Sequence, residues 1–322
     1  MVRKPAVAGT FYPNQPLQLQ QQVQHYLQQG YPSSTIPKAL IAPHAGYIYS
    51  GPIAGSAYRA LEPIREQIKR VILLGPSHHV AFHGVAAPTS ESFETPLGTV
   101  PIDQQALQQI QDLPQVWLMD EPHQAEHSLE VQLPFLQTVL NEFTLLPLVV
   151  GQADAHSVAE VLEQLWGGAE TLIVISSDLS HYQPYATAQQ LDLASSNAIK
   201  QLNENALDYE SACGRMPING LLHLAKHRGL QVETVDVRNS GDTAGDRARV
   251  VGYGAYLFSE KPLSETTSLE APSRAIPHNS SRACFSWPAN PLSMDWHTAA
   301  PQPLSCSSAT LSCNSQEPAL SP

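Results

Sequence analysis

Basic residues, cysteines and long apolar runs are all scarce in this chain. Only 17 of its 322 residues are Lys or Arg, against 29 Asp or Glu, for a formal net charge of −12. So acidic a chain offers no electrostatic footprint for nucleic acid. No run reaches the roughly 20 apolar residues that a bilayer-spanning helix needs. The start, Met1-Val2-Arg3-Lys4-Pro5, is not followed by the apolar core of a signal peptide. Of four cysteines, Cys284, Cys306 and Cys313 fall in the last 40 residues, which leaves Cys213 alone in the body. A disulfide framework is thereby excluded. Neither a Gly-x-Gly-x-x-Gly fingerprint nor a P-loop occurs, so nucleotide binding has no support. What remains is an acidic, cytoplasmic protein, and its 42% hydrophobic content is enough for a packed core.

Apolar patterning divides the chain at about residue 260. Beyond it, residues 261–322 are rich in Ser and Pro and poor in aliphatic residues, as in a disordered tail. Trp287 and Trp296 are the features of that tail with docking potential. Within residues 1–260, strands are expected near 38–43, 70–75, 144–150, 171–176, 231–237 and 250–258. Helices are expected near 15–29, 53–62, 103–112, 127–140, 155–166, 186–202 and 217–228. Asp103 and Asp154 read as N-caps and Gly229 as a C-cap. Near-continuous apolar strands such as Thr171–Ile175 imply burial on both faces. The fold class is therefore α/β, a three-layer α/β/α domain with a largely parallel central sheet.

Three of the strand-like runs end in polar turns: Ala42-Pro43-His44, Gly75-Pro76-Ser77-His78-His79 and Ser176-Ser177-Asp178-Leu179-Ser180-His181. Ligands of open α/β sheets gather outside the carboxyl ends of the strands. Neighbouring parallel strands would bring these side chains to one mouth, as a metal or acid–base site. His78 and His79 are adjacent and point opposite ways in extended chain, so one of them faces the site. Glu126 and His127 read equally as the start of a helix, favoured by its dipole, or as groups that orient a ligand. Cys213 reads as a buried structural thiol, or as a thiolate favoured by nearby Arg215. With Asp178 three residues before His181, a helical turn would set both on one face and raise the imidazole pKa. Asn239–Asp246 lacks EF-hand spacing and reads as a shaped loop between two strands.

In this order, the motifs Ala42-Pro43-His44-Ala45-Gly46-Tyr47, Gly75-Pro76-Ser77-His78-His79, Glu126-His127-Ser128, Ser177-Asp178-Leu179-Ser180-His181 and Cys213-Gly214-Arg215 resemble the Memo-like family. Its bacterial and archaeal members are often labelled AmmeMemoRadiSam system protein B. The resemblance covers roughly residues 3–258. It implies the fold of the class III extradiol dioxygenases, whose iron is held by two His and a carboxylate. It also assigns His44, His78 and Cys213 as metal ligands, with His181, Asp178 and Glu126 as the catalytic acid–base groups. Fe(II) is the first expectation for the metal, and the sulfur also admits Cu or Zn. A small molecule or peptide would occupy the cleft, and the label implies a functional link to radical-SAM and AMMECR-type proteins.

Three functions follow as expectations. The first is an iron-dependent redox enzyme or oxygenase, and the second a non-catalytic metal- or peptide-binding adaptor. The third is a hydrolase using Ser177 or Ser180, disfavoured because neither sits in a Gly-x-Ser-x-Gly elbow.

Overall fold

The computed structural model describes residues 1–260. The Ser/Pro-rich segment, with Trp287 and Trp296, lies outside the described residues. Twelve strands are formed within them: β1 (Val2–Arg3), β2 (Ala39–Ala42), β3 (Arg70–Pro76), β4 (Val85–Ala87), β5 (Ser92–Thr95), β6 (Gly98–Pro101), β7 (Val116–Leu118), β8 (Thr144–Val150), β9 (Thr171–Ser176), β10 (His181–Gln183), β11 (Gln231–Asn239) and β12 (Val250–Ser259). The helices are α1 (Pro16–Gln29), α2 (Tyr47–Arg59), α3 (Gln104–Ile110), α4 (Glu121–Gln124), α5 (Leu133–Val139), α6 (Ala155–Gln164), α7 (Tyr185–Lys200), α8 (Arg215–Arg228) and α9 (Ser240–Thr243).

The strands build a nine-stranded sheet in the order β10-β12-β2-β9-β3-β8-β4-β7, with β11 also on β12, and a small sheet β1-β5-β6. Four central strands, β2, β9, β3 and β8, run parallel. Both flanks depart from the largely parallel sheet expected. On one side β12 is antiparallel to β2, β10 and β11; on the other, β4 is antiparallel to β8. For β11 and β12 the connection is the reason: β11 returns as β12 through little more than α9, too short for the crossover that a parallel pair demands.

Alternation along the central strands sends apolar side chains to both faces. Leu40, Val71, Leu73, Leu172 and Val174 pack with α1, α2 and α5. Ile41, Ile72, Leu74, Ile173 and Ile175 pack with α3, α6, α7 and α8. Burial on two sides is why these strands read as continuous apolar runs. Asp103 and Asp154 cap α3 and α6 by accepting the Ala106 and Ser157 N–H, and Gly229 closes α8 at φ +67°.

Two helices differ from expectation. α2 starts at Tyr47, six residues early, and carries Pro52 inside it. Its glycines, Gly51 and Gly55, lie against Tyr26 of α1 so closely that a Cβ would clash. The helix expected over 127–140 breaks into a turn, a 3-10 segment at Glu130–Gln132 and α5. Ser128 is diverted: its N–H goes to Glu126 and its hydroxyl to the Pro76 carbonyl. No helix among the described residues is long and apolar enough to cross a membrane.

Candidate metal centre

Register brings the polar turns to one edge. Ala42 at the end of β2 is level with Ser176 at the end of β9, and Leu74 of β3 with Ile175. His44, Asp178 and His78 therefore leave the sheet at neighbouring carboxyl ends, where open α/β sheets place their ligands. Cys213 arrives from the α8 side, two residues before that helix. A Cβ on Gly214 would fall 2.6 Å from Ser177, so glycine permits this approach. The ligating atoms of His44, His78 and Cys213 all lie within 4.8 Å of one another. Cys213 Sγ is 3.2 Å from His44 Nε2, and the His44 and His78 ring centroids are 5.2 Å apart.

The surrounding hydrogen bonds fix which nitrogen each imidazole presents. Ser176 Oγ donates its one proton to the Ser128 carbonyl and accepts from Gln132 Nε2 at 2.7 Å. It must then accept from His44 Nδ1, 2.9 Å away, which leaves the His44 Nε2 lone pair facing Cys213. Tyr58 donates to Gln132 Oε1 and so fixes the amide's orientation. At His78, Nδ1 donates to Glu126 Oε1 at 2.8 Å, and the backbone N–H donates to Glu126 Oε2 at 2.7 Å. Its Nε2 is likewise free. Such carboxylate and hydroxyl partners are what orient metal-binding imidazoles. Burial pushes the Glu126 carboxyl up, but the bonds from His78 and Ser128 outweigh it and hold the group ionised, well below the usual range. Glu126 is thus bonded to His78 and Ser128 and braces the His78 ring.

Burial pushes the Cys213 thiol up to about 12, and the nearby Asp178 carboxyl adds to the shift. The expected thiolate-favouring cation is spent elsewhere, for the Arg215 guanidinium lies over the Tyr209 ring at 5.0 Å. Without a metal, Cys213 is a thiol that accepts the Asp178 N–H at 3.3 Å. Asp178 is itself buried and raised to about 7, despite accepting the His44 N–H at 2.7 Å. Its carboxyl ties the β9 turn to the β2 turn.

The helical turn expected at His181 is not formed. His181 opens β10, paired with Val251 of β12. Asp192 accepts the Ser180 N–H and the Gly252 carbonyl accepts the Leu179 N–H, so the segment runs extended. Asp178 consequently bonds the His44 turn instead of His181. The His181 pKa is lowered by burial, the opposite of the expected rise. Its Nδ1 donates to the Leu179 carbonyl at 2.8 Å, leaving Nε2 free.

Two clefts of about 620 Å³ each open beside the group, and His78, His181 and Tyr182 line both. Cavities of this size suit small ligands. Tyr182 adopts φ +56°, a left-handed conformation uncommon away from glycine, and stacks under Arg249 at 5.3 Å. His127 stacks on His78 with centroids 4.5 Å apart and forms a second close set with His78 and Glu126. Burial lowers its pKa to about 4. His79 is exposed and belongs to neither set. Gln132, Tyr182 and Arg249 carried no spacing signal, since distant chain segments bring them here. Two imidazole nitrogens and one sulfur, with an open side at His78, form a donor set that fits iron, copper or zinc.

A family model described as Memo-like protein matches residues 3–257. A "MEMO1 family protein" of Aquifex aeolicus is 39% identical over 270 residues, covering 80% of this chain and 99% of that one. The corresponding protein of Nitrosopumilus maritimus is 34% identical over 276 residues, covering 80% and 100%. One from Saccharolobus solfataricus is 35% identical over 285 residues, covering 80% and 99%. Among solved structures, an uncharacterized Escherichia coli K12 protein aligns at 14% identity with a TM-score of 0.45, over 68% of this chain and 98% of that one.

Proposed function

Because the chain belongs to the Memo-like family, we propose that it is a mononuclear metal protein whose ion is held by His44, His78 and Cys213. In this reading it acts as an iron-dependent redox enzyme of oxygenase type on a small molecule taken into the clefts. The observation that carries the reading is the convergence of three donor atoms within 4.8 Å, with both imidazole Nδ1 atoms already tied off. Bound iron would supply Lewis acidity and electron transfer, and the sulfur ligand also accommodates Cu or Zn.

The chain's own groups divide the remaining work. Glu126 aims His78, while Ser176 and Asp178 fix His44 and its turn. His181 is neutral and has a free Nε2 at the junction of both clefts, so it can take a proton from a bound hydroxyl. Of the acid–base roles expected for it, the base comes first, because burial lowers its pKa instead of raising it. A second reading, a non-catalytic holder of peptides, draws on Tyr49 and Tyr182, which are 40% and 63% exposed at one of these clefts. The functional link to radical-SAM and AMMECR-type proteins belongs to the same proposal by resemblance alone.

Loading the protein with Fe(II), Cu(I) or Zn(II) and following oxygen uptake with a set of catechols separates the readings. Turnover with iron that falls about 10²–10⁴-fold in His181→Ala, at unchanged metal content, supports the enzyme. No turnover with any of the metals supports the binding protein.

A further inference from the structure

A second histidine cluster lies on the opposite stretch of the helix that Cys213 precedes. His223 and His227 are one turn apart on α8, with ring centroids 4.7 Å apart. His156, at the start of α6, brings its ring to 5.8 Å from that of His223. The two helices approach this closely because of Gly220, where a Cβ would lie 2.4 Å from Val158 of α6. These centroid separations bracket the 5.2 Å between His44 and His78.

The likeness extends to the carboxylate. Glu204 Oε1 accepts from His223 Nδ1 at 3.1 Å, as Glu126 Oε1 accepts from His78 Nδ1 at 2.8 Å. In both places the bond leaves Nε2 as the free donor atom and stiffens the ring. Glu204 Oε2 is buried and has no hydrogen-bond partner among the described residues. An unpaired buried carboxylate oxygen is costly, and a nearby cation would relieve that cost. The two clusters differ in readiness. The inner donors stand gathered within 4.8 Å, whereas the outer ones are not all so close. His156 and His227 are exposed and free to rotate inward.

We propose that His223, His227 and His156, braced by Glu204, form a second site for a borderline divalent cation such as Zn(II), Ni(II) or Cu(II). Imidazole nitrogens suit these ions, and a His pair one helical turn apart sits on a single face, able to chelate. The bound ion would clip α8 to α6 and to the Glu204 loop, about three to four helical turns beyond Cys213.

Equilibrium dialysis of the full-length protein against Ni(II), with metal analysis, tests the proposal by difference. Wild type should hold one more ion per chain than His223→Ala/His227→Ala. A His44→Ala/Cys213→Ser variant should keep that ion. His227→Ala alone, at an exposed position, guards against misfolding and should weaken this ion by more than tenfold. Glu204→Gln should weaken it about tenfold, as for loss of a residue that orients a metal ligand. Ni(II) should also raise the melting temperature of wild type further than that of the double variant, which keeps only the inner centre, because each ion bound to the folded protein alone adds its own stabilisation. Equal stoichiometry in wild type and double variant overturns the proposal. Loss of the ion with the histidine pair, but indifference to Glu204→Gln and His156→Ala, also overturns it, since an ordinary exposed pair would behave that way.

Discussion

The two ends of the same parallel strands are built for different purposes. At the amino ends, charged side chains find partners within the fold. Arg70, opening β3, pairs with Asp103 at 2.7 Å; Asp103 also caps α3 and accepts the Thr144 hydroxyl at the start of β8. Lys38, just before β2, donates to the Gly168 and Thr171 carbonyls. At the carboxyl ends, burial favours the neutral forms of His44, His181, Asp178 and Cys213, and their partners are arranged so that nitrogens and a sulfur point inward. One end satisfies its polar groups fully, and the other withholds lone pairs for something to bind. Stability and chemistry are segregated along the strands, as the general rule for open α/β sheets anticipates.

The sharpest break in this comparison should come from Cys213→Ser. It should weaken Fe(II) or Zn(II) binding by more than about 100-fold by calorimetry, because a hydroxyl replaces a thiolate ligand. The same variant should remove a pH dependence. In wild type the thiol, at about 12, must lose its proton to bind. Its share of the affinity therefore rises about tenfold per pH unit between pH 7 and 9, and the slope should drop by one proton in the variant. An unchanged slope would mean that sulfur is not a ligand. Glu126→Gln should cost about 10- to 100-fold in affinity, since His78 would lose its carboxylate partner; an effect no larger than that of His79→Ala would refute the positioning role.

At the other end, Asp103→Ala should cost about 2 kcal/mol by denaturant unfolding through loss of a cap and a partly buried ion pair, with metal affinity unchanged. Its pH signature has a definite sign. Burial raises the Asp103 carboxyl, but Arg70, the Ala106 N–H and Thr144 outweigh it, so the folded value lies below the unfolded one. The contribution is thus present above the ordinary carboxylate value of about 4 and is lost as pH falls through the lowered folded value. The variant's acid limb should be flatter over that window. The smallest effect belongs to His79→Ala, expected to change affinity less than about twofold because the ring is exposed and outside both donor sets.

The parts of this arrangement that were legible in the sequence are those written locally. Continuous apolar runs located β2, β3, β8 and β9 closely, and the turns after three of them carried His44, His78 and Asp178. Asp103, Asp154 and Gly229 announced their helix ends through cap chemistry. Strand order was not legible, because it depends on pairings between distant segments. Neither were β1, β4–β7 and β10, which run two to four residues and carry no periodicity. His181 was misplaced for a related reason: the Leu179 and Ser180 N–H groups just before it answer to Gly252 and Asp192, outside its own turn. The residues alone favoured a structural role for Cys213, and only the resemblance to a family singled it out as a ligand. The protonation pattern was hidden altogether. It depends on the Ser128–Gln132 segment, Ser176 and His44 meeting across three segments.

X-ray absorption of the iron- or zinc-loaded protein tests the centre most directly. The account predicts one sulfur scatterer at roughly 2.3 Å and at least two imidazole nitrogens at roughly 2.0–2.1 Å, with the sulfur shell lost in Cys213→Ser while the imidazole shells persist. A metal shell without sulfur in wild type, or a sulfur shell that survives the substitution, would contradict the assignment of His44, His78 and Cys213 as one centre.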